Sequence, residues 1–219
     1  PKILDEKAPT KFEYAGACGG FIDSFGYPFC RGRMFDDLEV DSGQYDSNKD
    51  VFWASGAALF VRRELYNEAG GLDASFFAHQ EEIDLCWRLL NMNYKIACIP
   101  SSVVYHLGGA SLDKMNPKKT FLNFRNNLVM LLKNLPIYSL PIIFIRMLLD
   151  GVAGLKFVSE GKFNHCLAII KAHLSFYTRI PSVLYNRKKT LRIPPKLMYP
   201  KSVLVEYFIK KNKTYSNLN

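Results

Sequence analysis

Three carboxylates within four residues, Glu81, Glu82 and Asp84, and a histidine at 106 are the groups in this chain best suited to moving a proton or holding a cation. Carboxylates have reference pKa values near 4, so at neutral pH they are ionised and can take a proton from an attacking hydroxyl. Imidazole suits the softer divalent metals such as manganese, whereas magnesium prefers oxygen. Each group also has a plain structural role open to it. Acids in the first turn of a helix are favoured by its dipole. Asp84 stands four residues before Arg88, the spacing of a helical ion pair or a capping partner. A lone histidine on a strand is more commonly a satisfied structural residue.

The elements that must position these groups can be read from apolar spacing. From residue 80 to 91 the apolar positions Ile83, Cys86, Trp87 and Leu90 recur every three or four residues, which predicts a short helix with one buried face and the acids in its first turn. Residues 62–69 predict another helix, stopped at Gly70-Gly71. Two strands are expected at 94–99, ended by Pro100, and at 103–106, ended by Gly108-Gly109, the second carrying His106. Residues 16–50 are rich in glycine and aromatics with little periodicity. They predict a long substrate-facing loop in which Arg31 and Arg33 could meet phosphates, or equally a structural loop with surface arginines.

These residues carry a resemblance. Ser55-Gly56-Ala57, Arg62-Arg63, Gly70-Gly71-Leu72-Asp73, Phe76-Phe77, the run from Glu81 to Arg88, Asn93-Tyr94, Pro100 and Val104-Tyr105-His106 stand in one order. That order resembles the C-terminal portion of family 2 glycosyltransferases of the GT-A fold, of the rhamnosyltransferase-like kind found in bacterial cell-envelope synthesis. The resemblance covers roughly residues 1–130. It implies an α/β fold: the C-terminal half of a GT-A, Rossmann-like domain over residues 1–130, followed by an α-helical, membrane-associating region over 131–219. It implies inverting sugar transfer with Glu82 as general base and Glu81 or Asp84 as competing choices. Trp53, Ser55 and Gly56 would form an acceptor-side loop, although a buried aromatic and a tight turn would look the same. Arg125, in an Arg-Asn pair, would hold diphosphate, and His106 would be a metal ligand.

Two positions depart from the family pattern. Glu82 stands where the family has aspartate, and the extra methylene moves the carboxylate by roughly 1 Å, enough to matter for proton transfer unless the backbone compensates. No D-x-D occurs, the motif by which such enzymes hold a divalent metal and the donor diphosphate; Glu39-Val40-Asp41 and Glu82-Ile83-Asp84 only approximate it. The expectation is therefore a portion of an enzyme whose Mn2+ or Mg2+ is held mostly by an upstream half, and which is inactive in isolation.

Charge is unevenly spread. Residues 1–105 hold 10 basic and 16 acidic side chains, and residues 106–219 hold 19 and 4. The acidic part suits a metal-diphosphate and the basic part an anionic surface. Residues 135–158 are too apolar for a nucleic-acid stripe, so no nucleic-acid partner is expected. Arg146, Asp150 and Lys156 interrupt them, short of the about 20 uninterrupted apolar residues a bilayer span needs. A second helix over 163–177 places Leu167, Ile170, Leu174 and Tyr177 on one side. With Arg187-Lys188-Lys189, Arg192, Lys196 and Lys201 following, the expectation is interfacial helices on anionic lipid, peripheral to the cytoplasmic face of the inner membrane. Expected partners are a nucleotide-sugar donor and a lipid-linked or glycan acceptor. The alternative is a non-catalytic membrane-surface scaffold. Five cysteines without C-x-x-C spacing suggest neither a disulfide framework nor a zinc site, and fit a reducing cytosol.

Overall fold

The computed structural model describes residues 1–107, 116–187 and 197–218. It is a mixed α/β chain with small sheets, divided into two compact units: Pro1–Gly71 with Leu85–Ala110 and Pro195–Asn219, and Leu72–Asp84 with Ser111–Pro194. This division differs from a single cut near residue 130, because the C-terminal tail belongs with the N-terminal strands.

In the first unit, β1 (Lys2–Asp5) pairs in parallel with β8 (Val103–His106), setting Asp5 opposite His106. The other edge of β1 is covered. Ile3 N–H donates to Ala17 O and Asp5 N–H to Lys11 O, while Ile3 O accepts from Glu13 N–H, so this edge is not open to another chain. The stretch expected as a long loop folds as a meander of β2 (Gly20–Ile22), β3 (Pro28–Cys30), β4 (Arg33–Met34) and β5 (Asp37–Leu38). Its strands are too short for alternation to show in sequence. β6 (Lys49–Asp50) pairs antiparallel with β7 (Ala97–Cys98), all that forms of the strand expected over 94–99. Asn93, at φ 63°, and a Tyr94 N–H bond to Leu89 O keep residues 93–94 in the turn that ends a helix.

The first helix, α1 (Arg63–Ala69), stops at Gly70 in the left-handed region, whose N–H donates to Asn67 O while Gly71 N–H donates to Tyr66 O. α2 (Glu81–Asn91) follows the 3₁₀ turn Ala74–Phe76. Its first turn belongs to the second unit and its remainder to the first. There Leu85 and Leu89 pack with Ala69, and Trp87, fully buried, meets Phe52 edge-on at 5.1 Å.

The described part of the tail, residues 197–218, packs into the first unit. Val203 is fully buried, its N–H donating to Asp23 Oδ2; Tyr207 Oη donates to Asp37; and Tyr215 stacks on Phe21 at 5.4 Å. Lys201 therefore sits in a folded segment of the first unit, while Lys188, Lys189, Arg192 and Lys196 lie outside the described residues, as do Gly108 and Gly109.

The second unit is built on three helices. α3 (Pro117–Asn134) opens with Asn116 as N-cap, accepting from Lys118 N–H, and proline at its first position. α4 (Leu140–Ser159) and α5 (Phe163–Asn186) pack with α3, and α5 runs past the expected end at 177, through Pro181. Among the described residues no helix is long and apolar enough to cross a membrane.

Candidate functional site

The acids are delivered by an unusual piece of backbone. Phe77, His79 and Gln80 all have positive φ, at 67°, 69° and 71°, immediately before α2. Left-handed conformations are costly for residues with a Cβ, on the order of 1–3 kcal/mol each, and persist only where surroundings enforce them. The enforcement comes from α3. Asn126, 1% exposed, donates through Nδ2 to the carbonyls of Phe76, Ala78 and His79 at 3.1, 2.8 and 2.8 Å. Arg125 donates to Phe76 O at 2.9 Å and to Asn126 Oδ1 through both Nε and Nη2. Gln80 is held at both ends, donating to Asn123 O and accepting from Asn127 Nδ2, each at 3.1 Å.

The first turn of α2 thus projects from a clamped loop. Glu81 and Glu82 are half-buried, and Oε2 of Glu81 has no hydrogen-bond partner among the described residues. Asp84 is fully buried and structural: Lys133 Nζ reaches it at 2.8 Å and Asn134 Nδ2 at 2.7 Å. Lys133 also pairs with Asp73 at 2.7 Å. Burial opposes the charge on Asp73, but Lys133 and the Ser75 N–H outweigh it and hold this carboxyl down at about 2. The expected structural role for Asp84 is thus filled in part by a lysine 49 positions away in sequence. Arg88 donates to the carbonyls of Ala69 and Gly71, tying α2 to the end of α1. Residues two apart on a helix point to nearly opposite sides, so anchoring Asp84 inward turns Glu82 away from that anchor.

His79 was not singled out by sequence. Its Nε2 is buried without a hydrogen-bond partner among the described residues, and burial together with nearby Lys119 pushes its pKa down, so the ring is neutral at pH 7. Asn127 and Lys133 carried no expectation either, and Asn126 entered only as the neighbour of Arg125 in the Arg-Asn pair. A signal existed: asparagines at 123, 126, 127 and 134 form a polar stripe along a helix whose residues 128–132 are all apolar.

Several expected contacts are placed differently. Arg125 is buried and engaged with loop carbonyls, so it serves as a clamp rather than a diphosphate holder. Arg31, 3% exposed, donates to Cys18 O at 2.8 Å and lies over the Tyr45 ring, which makes it an internal brace of the meander and not a phosphate ligand. Arg33 is half-buried, its guanidinium 4.2 Å from the Tyr14 ring centroid. Trp53 is buried and its indole N–H donates to Phe21 O at 3.0 Å, the buried aromatic that was the alternative to an acceptor-side contact. Ser55 is buried, its Oγ accepting from Ala57 N–H, and Gly56 is exposed in the same turn.

His106 ends β8 with Nδ1 3.2 Å from Glu13 Oε2, near enough to pair when protonated but not aligned for a hydrogen bond. Among the described residues no group of three or more histidine, cysteine, aspartate or glutamate side chains could hold a metal ion. His106 and Glu13 do not amount to a metal centre on their own. None of the five cysteines is in a disulfide, although Cys18 and Cys98 bring their sulfurs to 3.7 Å inside the first unit.

No family model matches the chain. Two curated relatives do, each named N-acetylglucosaminyl-diphospho-decaprenol L-rhamnosyltransferase, from Mycobacterium tuberculosis strains CDC 1551 / Oshkosh and ATCC 25618 / H37Rv. Each is 37% identical over 60 residues, a stretch covering 27% of this chain. The chain spans only 20% of the length of those relatives in that alignment. Over that stretch the chain is similar to a glycosyltransferase.

Proposed function

We propose that this chain is the acceptor-side, C-terminal part of a GT-A glycosyltransferase that moves a sugar with inversion from a nucleotide-sugar donor to a lipid-linked acceptor, with Glu82 as general base. The observation that carries the reading is the clamped, left-handed loop that launches Glu81 and Glu82 from the start of α2. Backbone strain of this kind clusters where side chains must be held for chemistry. The short likeness to rhamnosyltransferases supports the same class of reaction. The lipid-linked acceptor is taken from those relatives' name alone, and a peripheral position at the cytoplasmic face of the inner membrane is proposed with it.

In this reading the acceptor hydroxyl oxygen attacks the anomeric carbon, the bond from that carbon to the diphosphate oxygen breaks, and the hydroxyl proton passes to Glu82. A glycoside, a nucleoside diphosphate and a protonated Glu82 result, and the proton leaves to solvent. The Asn126–Arg125 clamp keeps the carboxylate in place through the backbone of residues 76–80. Ser55 and Gly56 would border the acceptor, and the counter-charge for the leaving diphosphate, a divalent cation in the family resemblance, would come from groups other than those described.

The test is sugar transfer by the whole proposed enzyme, of which this chain is the acceptor-side part, from a panel of nucleotide sugars to a polyprenyl-diphosphate-linked sugar, wild type beside Glu82→Gln. Loss of at least about 100-fold in kcat with Glu82→Gln is expected for removal of a general base. Transfer that survives this change moves the base elsewhere. A wild type that transfers nothing, yet binds membrane, points instead to a scaffold.

A further inference from the structure

Two helices of the second unit bury polar groups on their inner side and show apolar side chains along their outer side. α4 carries three charged residues, and the structure turns two of them inward: Arg146 and Asp150 are 5% and 0% exposed, paired at 2.8 Å. Asp150 also meets His173 Nε2 of α5 at 3.3 Å, and Arg146 Nη1 donates to Asn127 of α3. The outer side of α4 is left to Phe144, Leu148, Val152 and Leu155, all more than half exposed and spaced by four, four and three. On α5, Leu167, Ile170 and Leu174 are likewise at least half exposed, at spacings of three and four. Tyr177 Oη, one step further along α5, reaches Met147 Sδ of α4 at 3.9 Å, so the two stripes adjoin there. An apolar surface of this extent marks a site of association.

We infer that the outer face of α4 and α5 docks on an anionic lipid surface, the two helices lying in the interface. Charge decides the occupant. Lys171 borders the α5 stripe and Lys156 the α4 stripe, Lys156 and Lys162 share Glu160 at 3.8 and 2.7 Å, and between residues 135 and 187 six basic side chains stand against two acids, Glu160 and the buried Asp150. A second copy of the chain would bring the same basic charges against itself, whereas anionic headgroups complement them. A cleft of about 440 Å³ between α3 and α5 adds to the fit: Phe121, Leu167 and Ala168 give it apolar walls, and Lys118 and Lys171 line it too, the makeup of a headgroup seat beside buried chain. Since no described helix can cross a bilayer, the face lies on the membrane and does not span it.

The inference deepens the lipid-linked reading of the acceptor and is tested without relying on transfer. The chain is floated with vesicles of phosphatidylcholine alone and of phosphatidylcholine with phosphatidylglycerol. Wild type should float with the anionic vesicles, Leu148→Glu/Leu155→Glu should lose this by about tenfold or more, and Lys171→Glu should weaken binding to anionic vesicles only. Both leucines are exposed, so an unchanged melting temperature separates lost docking from lost folding. Glu82→Gln should float as wild type does, so failure of the catalytic reading leaves this result standing. Absence of wild-type flotation, a double glutamate variant that floats undiminished, or a wild-type dimer that the glutamates disperse without any flotation would each overturn the inference.

Discussion

Replacing Lys133 by methionine tests whether the first turn of α2 is held by charge. Lys133 keeps most of its stem inside, reaches the fully buried Asp84 at 2.8 Å and the half-buried Asp73 at 2.7 Å, and methionine preserves the stem while removing the ammonium. Taking one partner from a buried ion pair costs about 3–5 kcal/mol, because the other charge stays buried. Two features reduce this. Asn134 still donates to Asp84, and Lys133 is partly solvated, so about 2–3 kcal/mol is the expected loss. Urea unfolding followed by circular dichroism would read it, alone and in a cycle with Asp84→Asn. The double variant should cost clearly less than the two singles together, since each single leaves the other partner stranded. A pH arm uses Asp73. Its carboxyl is held at about 2 in the folded chain against an ordinary 3.8, so the pairing stabilises the fold fully above about pH 4 and fades as pH falls through about 2. Lys133→Met should lose that acid-labile contribution. A cost below about 0.5 kcal/mol with strict additivity would refute the reasoning, because a surface pair behaves that way.

Asn126→Ala should destabilise by about 2–3 kcal/mol, since it strands buried loop carbonyls, and should speed chymotryptic cleavage after the exposed Phe77 as the left-handed conformations relax. Gly20→Ala should cost more than about 2 kcal/mol in unfolding free energy: a Cβ there would stand 1.9 Å from Trp53 Cε2, while Gly20 and Trp53 are tied backbone to backbone. Iodoacetamide followed by mass mapping should label Cys166 first, because it alone of the five thiols is not buried; early labelling of Cys18 or Cys98 would show that the first unit opens.

The sequence made the local elements legible where punctuation was strong. Gly70-Gly71 fixed the end of α1, and the three-and-four spacing of Ile83, Cys86, Trp87 and Leu90 placed α2 to within a residue. The helix expected over 163–177 runs to Asn186 and contains Pro181. A proline removes one backbone donor, and at an exposed position the carbonyl it strands faces water. Arg31 and Trp53 were chosen for their chemistry and turn out to be internal, one satisfied by Cys18 O and the other by Phe21 O. Residue type cannot report that, because both partners are backbone groups placed by the meander.

The interruption of the apolar stretch by Arg146 and Asp150 was a count along the chain, and the fold answers a different question, namely which way each residue faces. Four residues apart, the two share one side of α4, on the side away from Phe144, Leu148 and Val152, so a projection at helical period separates what a running sum mixes. The same reasoning sorts the acids of α2. Glu82 and Asp84 are equivalent in composition and pKa class, yet 200° of helical rotation lies between them. One is committed to Lys133 and Asn134, which fixes the turn; the other projects from the far side of that turn, behind a loop that three asparagines and an arginine of α3 hold in a costly conformation. A buried carboxylate that anchors and a neighbouring one that can accept a proton are thus produced from a single E-E-x-D run by geometry alone.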